Sequence, residues 1–486
     1  MTSLNLPNRR RFLQGGLAGA AGIAFSTRMW ARSIGANDEI QLGFIGIGKG
    51  GSGRGAGHVG QFGKMKGCRV AAVCDVDTKV LDVMKKKLEG QPVEYSQDYR
   101  KLLENKDIDA VIIATPNHTH TFLAIAALQA GKHVFVEKPV SHNMWEGRKL
   151  VEHAAKHPEL IVQHGMQRRS DKAWLQIQEF IKSGAIGSAV LSRGLCYKNR
   201  QDIGHIGTPA KAPDTVDYNL WCGPRPMEPV KRKSFHYDWH WQWPYGNGDI
   251  GNQGPHQLDV ARWLIGDPMA CPAKVVSIGG RFGYDDDATT ANTQIAFYDF
   301  KPVPVIFEVR GLPEKDMNFR GRVSNYKGIT VGNVLECQGG WVAEGKAYDL
   351  DGREVAKFEK NEGSEHQDRF LQSIRSGKIE PTHNALTGHL SAALAHMANH
   401  SYRTGNPTSV DAIRQQTGSN ALFAETFERM LTHLTDNKVQ LEGLQPILGA
   451  SLTLDPATEQ YVGESAQAAN QINRDTYREG FTIPNA

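Results

Sequence analysis

Apolar residues in the first third of the chain come in short runs that alternate with stretches of helical spacing. The helical stretches predict helices at residues 78–88, 121–130 and 145–156. Regular alternation of strands and helices is typical of a doubly wound parallel sheet with right-handed crossovers, so we expect an α/β domain here. The apolar runs predict its five buried strands, at residues 40–47, 69–75, 109–114, 134–136 and 160–164.

A different pattern begins near residue 274, where apolar and polar residues alternate one by one. This alternation predicts antiparallel strands over 274–331 and a meander over 334–359. Helices at 367–376 and 386–402 follow. Residues 406–486 are polar with few strong periodicities after Leu434, so we expect an extension that wraps this domain or a neighbouring subunit.

Residues 1–36 resemble an export signal rather than a folded element. Arg9-Arg10-Arg11-Phe12-Leu13 precedes a Gly/Ala-rich run that is too short and too rich in glycine for a transmembrane span. The pattern is similar to a twin-arginine signal, with a disordered basic tail as the alternative. It predicts recognition by the twin-arginine translocation machinery, a periplasmic or otherwise exported location, and no stable membrane span after processing.

Composition narrows the function only a little. The net charge of +4 over 486 residues, with no basic stripe, gives no indication of nucleic-acid binding. The six cysteines are scattered without zinc or redox spacing, which predicts free, buried thiols and no metal site.

The first predicted strand runs into Gly46-Ile47-Gly48-Lys49-Gly50-Gly51, a G-x-G-x-x-G pattern. Such a loop lets the backbone approach a pyrophosphate, with the N–H groups of the next helix facing the phosphates. A nucleoside-triphosphate loop beginning at Gly43 is excluded because Gly50 stands where Ser or Thr would bind magnesium. The loop therefore predicts a dinucleotide.

Asp75 ends the second predicted strand, 24 residues beyond Gly51. A carboxylate there can accept hydrogen bonds from the adenosine ribose hydroxyls, and its charge repels a 2′-phosphate. The predicted cofactor is therefore NAD, with NADP less favoured.

Polar residues also follow the third and fourth predicted strands, at Thr115-Pro116-Asn117-His118-Thr119-His120 and at Glu137-Lys138-Pro139. Ligands of open parallel sheets bind outside the carboxyl ends of the strands, so we expect Lys138 in a cleft. A solvated ion pair between Glu137 and Lys138 is the alternative.

Residues 190–243 are rich in aromatic, proline and glycine residues interleaved with hydrogen-bonding side chains. This mixture suits sugar rings, which have apolar C–H faces and hydroxylated rims; a long loop packing its aromatics on the second domain is the alternative. His236 and His240 have the spacing of a helical metal pair, but the surrounding Trp and Pro do not predict a helix.

The glycine loop at Gly46, Asp75, the 115–120 segment and the 137–139 segment occur in an order and spacing that resemble the Gfo/Idh/MocA oxidoreductases. The resemblance covers roughly residues 38–405. It implies an N-terminal Rossmann domain and a C-terminal α+β domain built on a large, mostly antiparallel sheet, which often forms the oligomer contact. We therefore expect a homo-oligomer, a dimer or a tetramer.

The resemblance also implies that Lys138 and His256 meet over the nicotinamide as catalytic residues. His256 belongs to a D-x-G-x-H-x-x-D signature that matches here at Gly254, His256 and Asp259. Asn252 stands where many members have Asp and cannot serve as a base, which places the proton transfer on His256 and Lys138. Asn252 is then expected to orient the substrate.

The segment that contains Gln167 and Arg168 is similar to the family loop beside the nicotinamide, with a solvated loop as the alternative. The predicted cofactor-binding residues are Gly46, Ile47, Gly48, Gly51, Asp75, Thr115, Asn117, His120, Glu137, Lys138 and Gln167. The predicted substrate-binding residues are Arg168, Tyr197, Lys198, Trp239, His240 and His256. The predicted domains are the signal at 1–36, the Rossmann domain at 37–160, the substrate and oligomerisation domain at 161–405 and the extension at 406–486.

These residues predict hydride transfer between NAD and a carbinol carbon of a sugar, polyol or glycoside. Because an exported protein has no NAD pool to exchange with, we expect the cofactor to be tightly bound and recycled in place. A redox-neutral NAD-dependent glycosidase, which oxidises C3, eliminates the leaving group and re-reduces C3, is one alternative. A non-catalytic binding protein on the same scaffold is another.

Overall fold

The computed structural model describes residues 39–313, 324–360 and 365–486. The twin-arginine prediction for residues 1–36 lies outside this part of the chain. Among the described residues, no helix combines the length and the apolar character that a membrane crossing needs. All six cysteines are free and buried, as the sequence predicts.

The amino-terminal domain is a Rossmann domain, which confirms the predicted fold class. Its helices cover both faces of the sheet, and two separate apolar clusters fill the spaces between them. The strands are β1 (Ile40–Ile45), β2 (Cys68–Cys74), β3 (Glu94–Ser96), β4 (Ala110–Ile113), β5 (His133–Val136) and β6 (Val162–His164). The helices are α1 (Arg54–Phe62), α2 (Thr78–Lys87), α3 (Tyr99–Glu104), α4 (His120–Gln129) and α5 (Met144–Lys156).

All six strands are parallel and lie in the order β3-β2-β1-β4-β5-β6. The edge strand β3 was not among the predicted strands, because its three residues are polar and mostly half-buried. Side chains of Asp77 and Asn143 cap α2 and α5 by accepting backbone N–H bonds from Lys79 and Glu146. Because the strands are parallel, the carboxyl ends of β1, β2, β4 and β5 all lie at the same edge of the sheet.

The second domain is built on a twelve-stranded mixed sheet, mostly antiparallel, as predicted. The order along it is β14-β13-β12-β11-β7-β10-β9-β8-β16-β15, with β17 on β8 and β18 on β17. Strands β7 and β10 pair in parallel. The strands are β7 (Ala189–Tyr197), β8 (Lys274–Gly280), β9 (Thr293–Tyr298), β10 (Val305–Arg310), β11 (Val331–Cys337), β12 (Gly340–Ala343), β13 (Lys346–Asp349), β14 (Glu354–Lys357), β15 (Asn406–Pro407), β16 (Ile447–Leu448), β17 (Leu452–Asp455) and β18 (Gln460–Val462).

Nine further helices complete the described chain. Helix α9 packs against β7, and the long, almost fully buried α11 packs on α5 of the Rossmann domain. The helices are α6 (Lys172–Lys182), α7 (Tyr218–Cys222), α8 (Gly248–Asn252), α9 (Gly254–Leu264), α10 (Glu365–Ser376), α11 (Ala385–Arg403), α12 (Val410–Thr417), α13 (Ala421–Asp436) and α14 (Ala466–Ile472).

The region 406–486 is more ordered than its polar sequence predicts. Strands β15–β17 extend the large sheet beyond β8, and α12 and α13 pack on one face of that sheet. Residues 473–486 form no helix or strand and run back to the Rossmann domain. The extension therefore wraps both domains of its own chain.

Candidate active site

A cavity of about 950 Å³ lies between the strand ends of the Rossmann domain and the second domain. That volume is at the upper end of the range of roughly 300–1,000 Å³ typical of ligand sites. Lys138 follows β5 and Asp75 follows β2, which places them three strand spacings apart, about 14 Å. We call the part lined by Lys138, His240, Asn252 and His256 the lysine end, and the part lined by Asp75, Tyr99, Phe122 and Phe481 the aspartate end.

The glycine loop runs along the cavity between the two ends. Gly46 has a φ of 84°, and a Cβ on it would lie 2.6 Å from Thr115 Cγ2. Helix α1 begins at Arg54, and no side chain caps its amino end, where Gly53 lines the cavity. A helix amino end that presents free N–H groups favours an anion, so this loop fits the pyrophosphate of a dinucleotide.

The spacing of the functional glycines differs from the predicted one. Gly51 does not line the cavity; a Cβ on it would lie 2.6 Å from Val83 Cγ1. Gly55 instead is the glycine that lets the helix pack closely on the strand, because a Cβ added to it would lie 1.9 Å from the carbonyl oxygen of Gly46. The loop is longer than the minimal pattern because a 3-10 turn at Lys49–Gly51 intervenes before α1.

Asp75 braces the glycine loop and lines the cavity at the same time. Its Oδ2 accepts the backbone N–H groups of Ile47 and Gly48, at 2.8 and 3.2 Å, and its Oδ1 accepts that of Asp77 at 3.0 Å. Burial raises the pKa of Asp75 above its usual value, and the N–H donors oppose that shift. Ile47 does not line the cavity. Its backbone N–H supports Asp75, and its side chain is buried in the core.

Glu137 lines the cavity next to Lys138 and is held there as a fixed negative charge. Its Oε1 lies 2.7 Å from both Arg54 Nε and His58 Nε2, and its Oε2 accepts the backbone N–H of Lys138 at 3.1 Å. Burial would raise the pKa of Glu137, but Arg54 and His58 hold it well below its usual range. The solvated ion pair that was the alternative for Glu137 and Lys138 does not describe this buried carboxylate, which is 3% exposed.

Lys138 reaches across to the second domain. Its Nζ donates to the backbone carbonyl oxygen of Asn252 at 2.7 Å, which leaves the Asn252 side chain to line the cavity. Burial lowers the pKa of Lys138 below its usual value, although the negative charge of Glu137 opposes the shift. One hydrogen bond therefore holds the Lys138 ammonium, which lies close enough to His256 to affect its pKa.

His256 lies in the first turn of α9 and lines the cavity. Its Nδ1 is buried and has no hydrogen-bond partner in the described part of the chain, so Nε2 is the nitrogen available to a ligand. Burial and the nearby ammonium of Lys138 hold the pKa of His256 well below 6.5. A neutral imidazole in this position can accept a proton.

His240 is a second neutral imidazole in the same cavity. Its Nδ1 donates to the carbonyl oxygen of Tyr237 at 2.6 Å, which leaves Nε2 as an acceptor. The ring stacks on Trp239 with centroids 3.6 Å apart. Burial lowers the pKa of His240 to about 3.

Arg200, which also lines the cavity, belongs to an ion pair that the sequence did not predict. Arg200 Nη2 and Nε donate to Asp249 Oδ1 and Oδ2 at 2.7 and 2.8 Å, and Arg200 Nη1 donates to the Tyr237 hydroxyl. The guanidinium also lies over the Trp241 ring, 5.2 Å from its centroid. Both residues occur in motif-rich segments, but no local spacing pairs an arginine with an acid 49 positions away.

Four further predicted cofactor residues, Thr115, Asn117, His120 and Gln167, also line the cavity. His120 lies between the carbonyl oxygens of Pro139 and Thr115, at 2.6 and 2.7 Å, and so braces the two strand-end segments. Asn117 donates to Asn247 Oδ1 in the second domain at 3.2 Å.

Three predicted substrate residues do not line the cavity. Tyr197 points away because side chains alternate along β7: Gly194 and Ser192 face α9, while Tyr197 lies on the opposite face and donates to Glu308 at 2.7 Å. Lys198 is exposed just after β7. Arg168 pairs with Glu344 at 2.8 Å. Trp239 and His240 do line the cavity.

The two histidines with metal-pair spacing are separated by their partners. His236 Nε2 lies 2.8 Å from Asp77 Oδ2, whereas His240 faces the lysine end. Within residues 39–313, 324–360 and 365–486, no group of three or more His, Cys, Asp or Glu side chains has the arrangement of a metal site.

Comparisons with known proteins agree with this architecture. Salmonella typhimurium inositol 2-dehydrogenase is 31% identical over 182 residues, which are 37% of this chain and 52% of that protein. A glycosyl hydrolase family 109 protein of Shewanella pealeana is 39% identical over 124 residues, 24% of this chain and 26% of that protein. The chain therefore matches about half or less of the length of these curated relatives.

Solved structures share the fold. Apo scyllo-inositol dehydrogenase from Lactobacillus casei aligns with a TM-score of 0.52 at 20% identity, over 75% of this chain and 96% of that one. The WlbA dehydrogenase from Bordetella pertussis, in complex with NADH and UDP-GlcNAcA, aligns with a TM-score of 0.54 at 17% identity, over 74% of this chain and 96% of that one.

Two family models match in succession. The oxidoreductase-family NAD-binding Rossmann fold matches residues 40–165, and the oxidoreductase-family C-terminal alpha/beta domain matches residues 177–321. Together they span more than half of the chain, and both describe domains that the structure contains. The chain belongs to the Gfo/Idh/MocA family of oxidoreductases.

Proposed function

We propose that this protein is an NAD-dependent oxidoreductase that acts on a CH–OH group of a sugar or polyol. The observation that carries the proposal is one cavity in which Lys138 and a neutral His256 lie beyond a dinucleotide loop. The similarity to inositol 2-dehydrogenase and scyllo-inositol dehydrogenase supports a polyol or sugar as substrate. Asp75, as a carboxylate near the ribose position, favours NAD over NADP.

In this proposal, each residue of the lysine end has a separate role in hydride transfer. When bound, NAD supplies the hydride acceptor or donor. The Lys138 ammonium stabilises negative charge on the substrate oxygen, which is worth most in a buried site. His256 Nε2 accepts the hydroxyl proton, and the Asn252 amide orients that hydroxyl.

His240 and its neighbours recognise the rest of the substrate in this scheme. His240 Nε2 accepts a hydrogen bond from a second hydroxyl, while the Arg200 guanidinium donates to another. The Trp239 and Trp241 rings offer apolar faces to the C–H side of a sugar ring. All four groups line the same cavity as His256.

We further propose that the cofactor stays bound and is recycled in place, and that the protein is exported by the twin-arginine route. Export rests on Arg9-Arg10-Arg11-Phe12-Leu13 and the Gly/Ala-rich run after it. Assembly into a homo-oligomer is proposed from family resemblance and is tested by light scattering.

A redox-neutral glycosidase is the second candidate, favoured by the family 109 glycosyl hydrolase relatives and by two neutral imidazoles in one cavity. In that reaction C3 of the sugar is oxidised, a base removes the C2 proton, the leaving group departs, water adds and C3 is reduced. His256 would take the hydroxyl proton and His240 the carbon proton.

A panel of polyols, free sugars and nitrophenyl glycosides tests both candidates. Oxidation of a polyol or sugar with a rise in NADH absorbance supports the dehydrogenase. Nitrophenol release with no net change in NADH supports the glycosidase. Lys138→Met should lower either signal by about 10²–10³ or more; if neither the wild-type protein nor the NAD-loaded protein turns over any of these substrates, both candidates fail.

A further inference from the structure

The aspartate end of the cavity is lined in part by a residue far along the chain. Phe481 lines the cavity and is only 7% exposed. Its ring centroid lies 5.8 Å from that of Phe122 in α4, and Phe122 lies 5.8 Å from Tyr99 at the start of α3. Three aromatic rings, from three separate segments, therefore form a wall beside Asp75.

The position of this wall identifies the part of a dinucleotide that would meet it. A carboxylate at the end of the second strand of such a sheet lies at the adenosine ribose. The base attached to that ribose would then lie near Tyr99, Phe122 and Phe481, which line the same cavity. Aromatic side chains stack on nucleobases, whose flat faces are apolar.

The segment that carries Phe481 is tied down by polar contacts at separate points. Arg478 donates to the carbonyl oxygen of Gly223 at 2.7 and 2.9 Å, to that of Asn219 at 2.8 Å, and to Asn219 Oδ1 at 2.9 Å. Its guanidinium also lies 4.8 Å from the Phe481 ring centroid. Arg478 thereby joins residues 473–486 to α7, which itself contributes Leu220 and Trp221 to the cavity wall.

A second set of contacts joins the same segment to the Rossmann domain. Asp475 Oδ2 lies 3.0 Å from His142 Nδ1 and accepts from Asn143 Nδ2 at 2.9 Å. The Tyr477 hydroxyl donates to Glu146 Oε1 at 3.0 Å. Because the segment has no helix or strand, these side-chain contacts rather than backbone ladders hold it against the Rossmann domain.

We propose that residues 473–486 form a closing strap over the cofactor, in which Phe481 contacts the adenine ring and slows release of NAD. This proposal rests on the proposed function, since it takes NAD as the occupant. The strap would explain why NAD is expected to stay bound to this protein. In this proposal, NAD would leave past the aspartate end faster when the Phe481 ring is removed.

The test measures the rate at which NAD leaves the full-length, NAD-loaded protein after rapid dilution. Phe481→Ala should raise that rate about ten-fold or more, the size expected for loss of one aromatic contact to a base. Phe481→Leu keeps an apolar side chain and should give a smaller increase. Arg478→Gln, which releases the strap from α7, should also raise the rate.

Phe358→Ala is the matched control. Phe358 is a buried phenylalanine, 9% exposed, in an apolar cluster of the second domain, and it does not line the cavity. It should leave the release rate unchanged while lowering the melting temperature. Affinity for ADP-ribose should fall with Phe481→Ala as much as affinity for NAD, and affinity for nicotinamide mononucleotide should not change.

Release of NAD from Phe481→Ala and Phe481→Leu at the wild-type rate would overturn the strap while leaving the proposed function intact. An equal loss of affinity for nicotinamide mononucleotide would also overturn it, because the effect would then not be local to adenosine. A wild-type protein that neither contains nor takes up NAD would overturn the proposed function and the strap together.

Discussion

The two ends of the cavity are built in opposite ways. At the lysine end, ionisable side chains are buried close together, and their pKa values are displaced by burial and by one another. At the aspartate end, one carboxylate braced by backbone N–H groups faces aromatic and apolar walls. In the proposed function, chemistry and cofactor retention are therefore assigned to different residues, so that substitutions can separate them.

Replacing Lys138 with Met should have the largest effect. Loss of the ammonium removes the charge that stabilises the substrate oxygen, which we expect to lower kcat by about 10²–10³ or more. NAD affinity, measured by fluorescence titration, should remain within a few-fold of wild type. Lys198→Met is the control, because Lys198 is exposed and outside the cavity. Loss of NAD binding in Lys138→Met would assign Lys138 to the cofactor instead.

Replacing Asp75 with Asn should act at the other end. The amide keeps the size of the side chain but removes the charge, so NAD affinity should fall about ten-fold and the preference over NADP should narrow. Turnover at saturating NAD should change much less than in Lys138→Met. An unchanged ratio of NAD to NADP affinity would contradict the assignment of Asp75 to the ribose.

The pH profile should show that His256 works as a neutral base. Because its folded-state pKa lies well below 6.5, activity in the oxidative direction is present above that pKa and is lost as the pH falls through it. The acid limb of kcat/KM should therefore lie below pH 6.5 and should be absent in His256→Gln, whose residual rate is low. An acid limb centred at or above pH 6.5 would contradict this role.

Tyr197→Phe should have the smallest effect on activity. Tyr197 donates to the buried Glu308 on the face of β7 turned away from the cavity, so kcat/KM should stay at the wild-type value. The free energy of unfolding, measured with urea, should fall by about 1–3 kcal/mol because a hydrogen bond to a charged group is lost. A loss of activity comparable with that of His256→Gln would return Tyr197 to the substrate site.

Sequence patterns predicted most of what depends on neighbouring positions. The parallel strands follow from apolar runs, and Asp75 and Lys138 follow from the rule that strand ends line the cleft. Tyr197 was misplaced because a rich aromatic composition does not tell which face of β7 a residue occupies; the parity of the strand decides that.

Contacts between distant segments could not be predicted in this way. Gly55 replaces Gly51 at the helix packing site only because a 3-10 turn lengthens the loop. The pairing of Arg200 with Asp249, and the return of Phe481 to the Rossmann domain, depend on how the second domain folds. Nothing in the residues around Phe481 predicts that it lines the cavity.

The most direct test is identification of the small molecules released when the purified wild-type and Lys138→Met proteins are denatured. Mass spectrometry and absorbance should find NAD or NADH in near-stoichiometric amounts in both, because the proposal assigns retention of the cofactor to the aspartate end and chemistry to the lysine end. Wild-type protein that carries no nucleotide and takes up neither NAD nor NADP would contradict the account, and stoichiometric NADP would contradict the role given to Asp75.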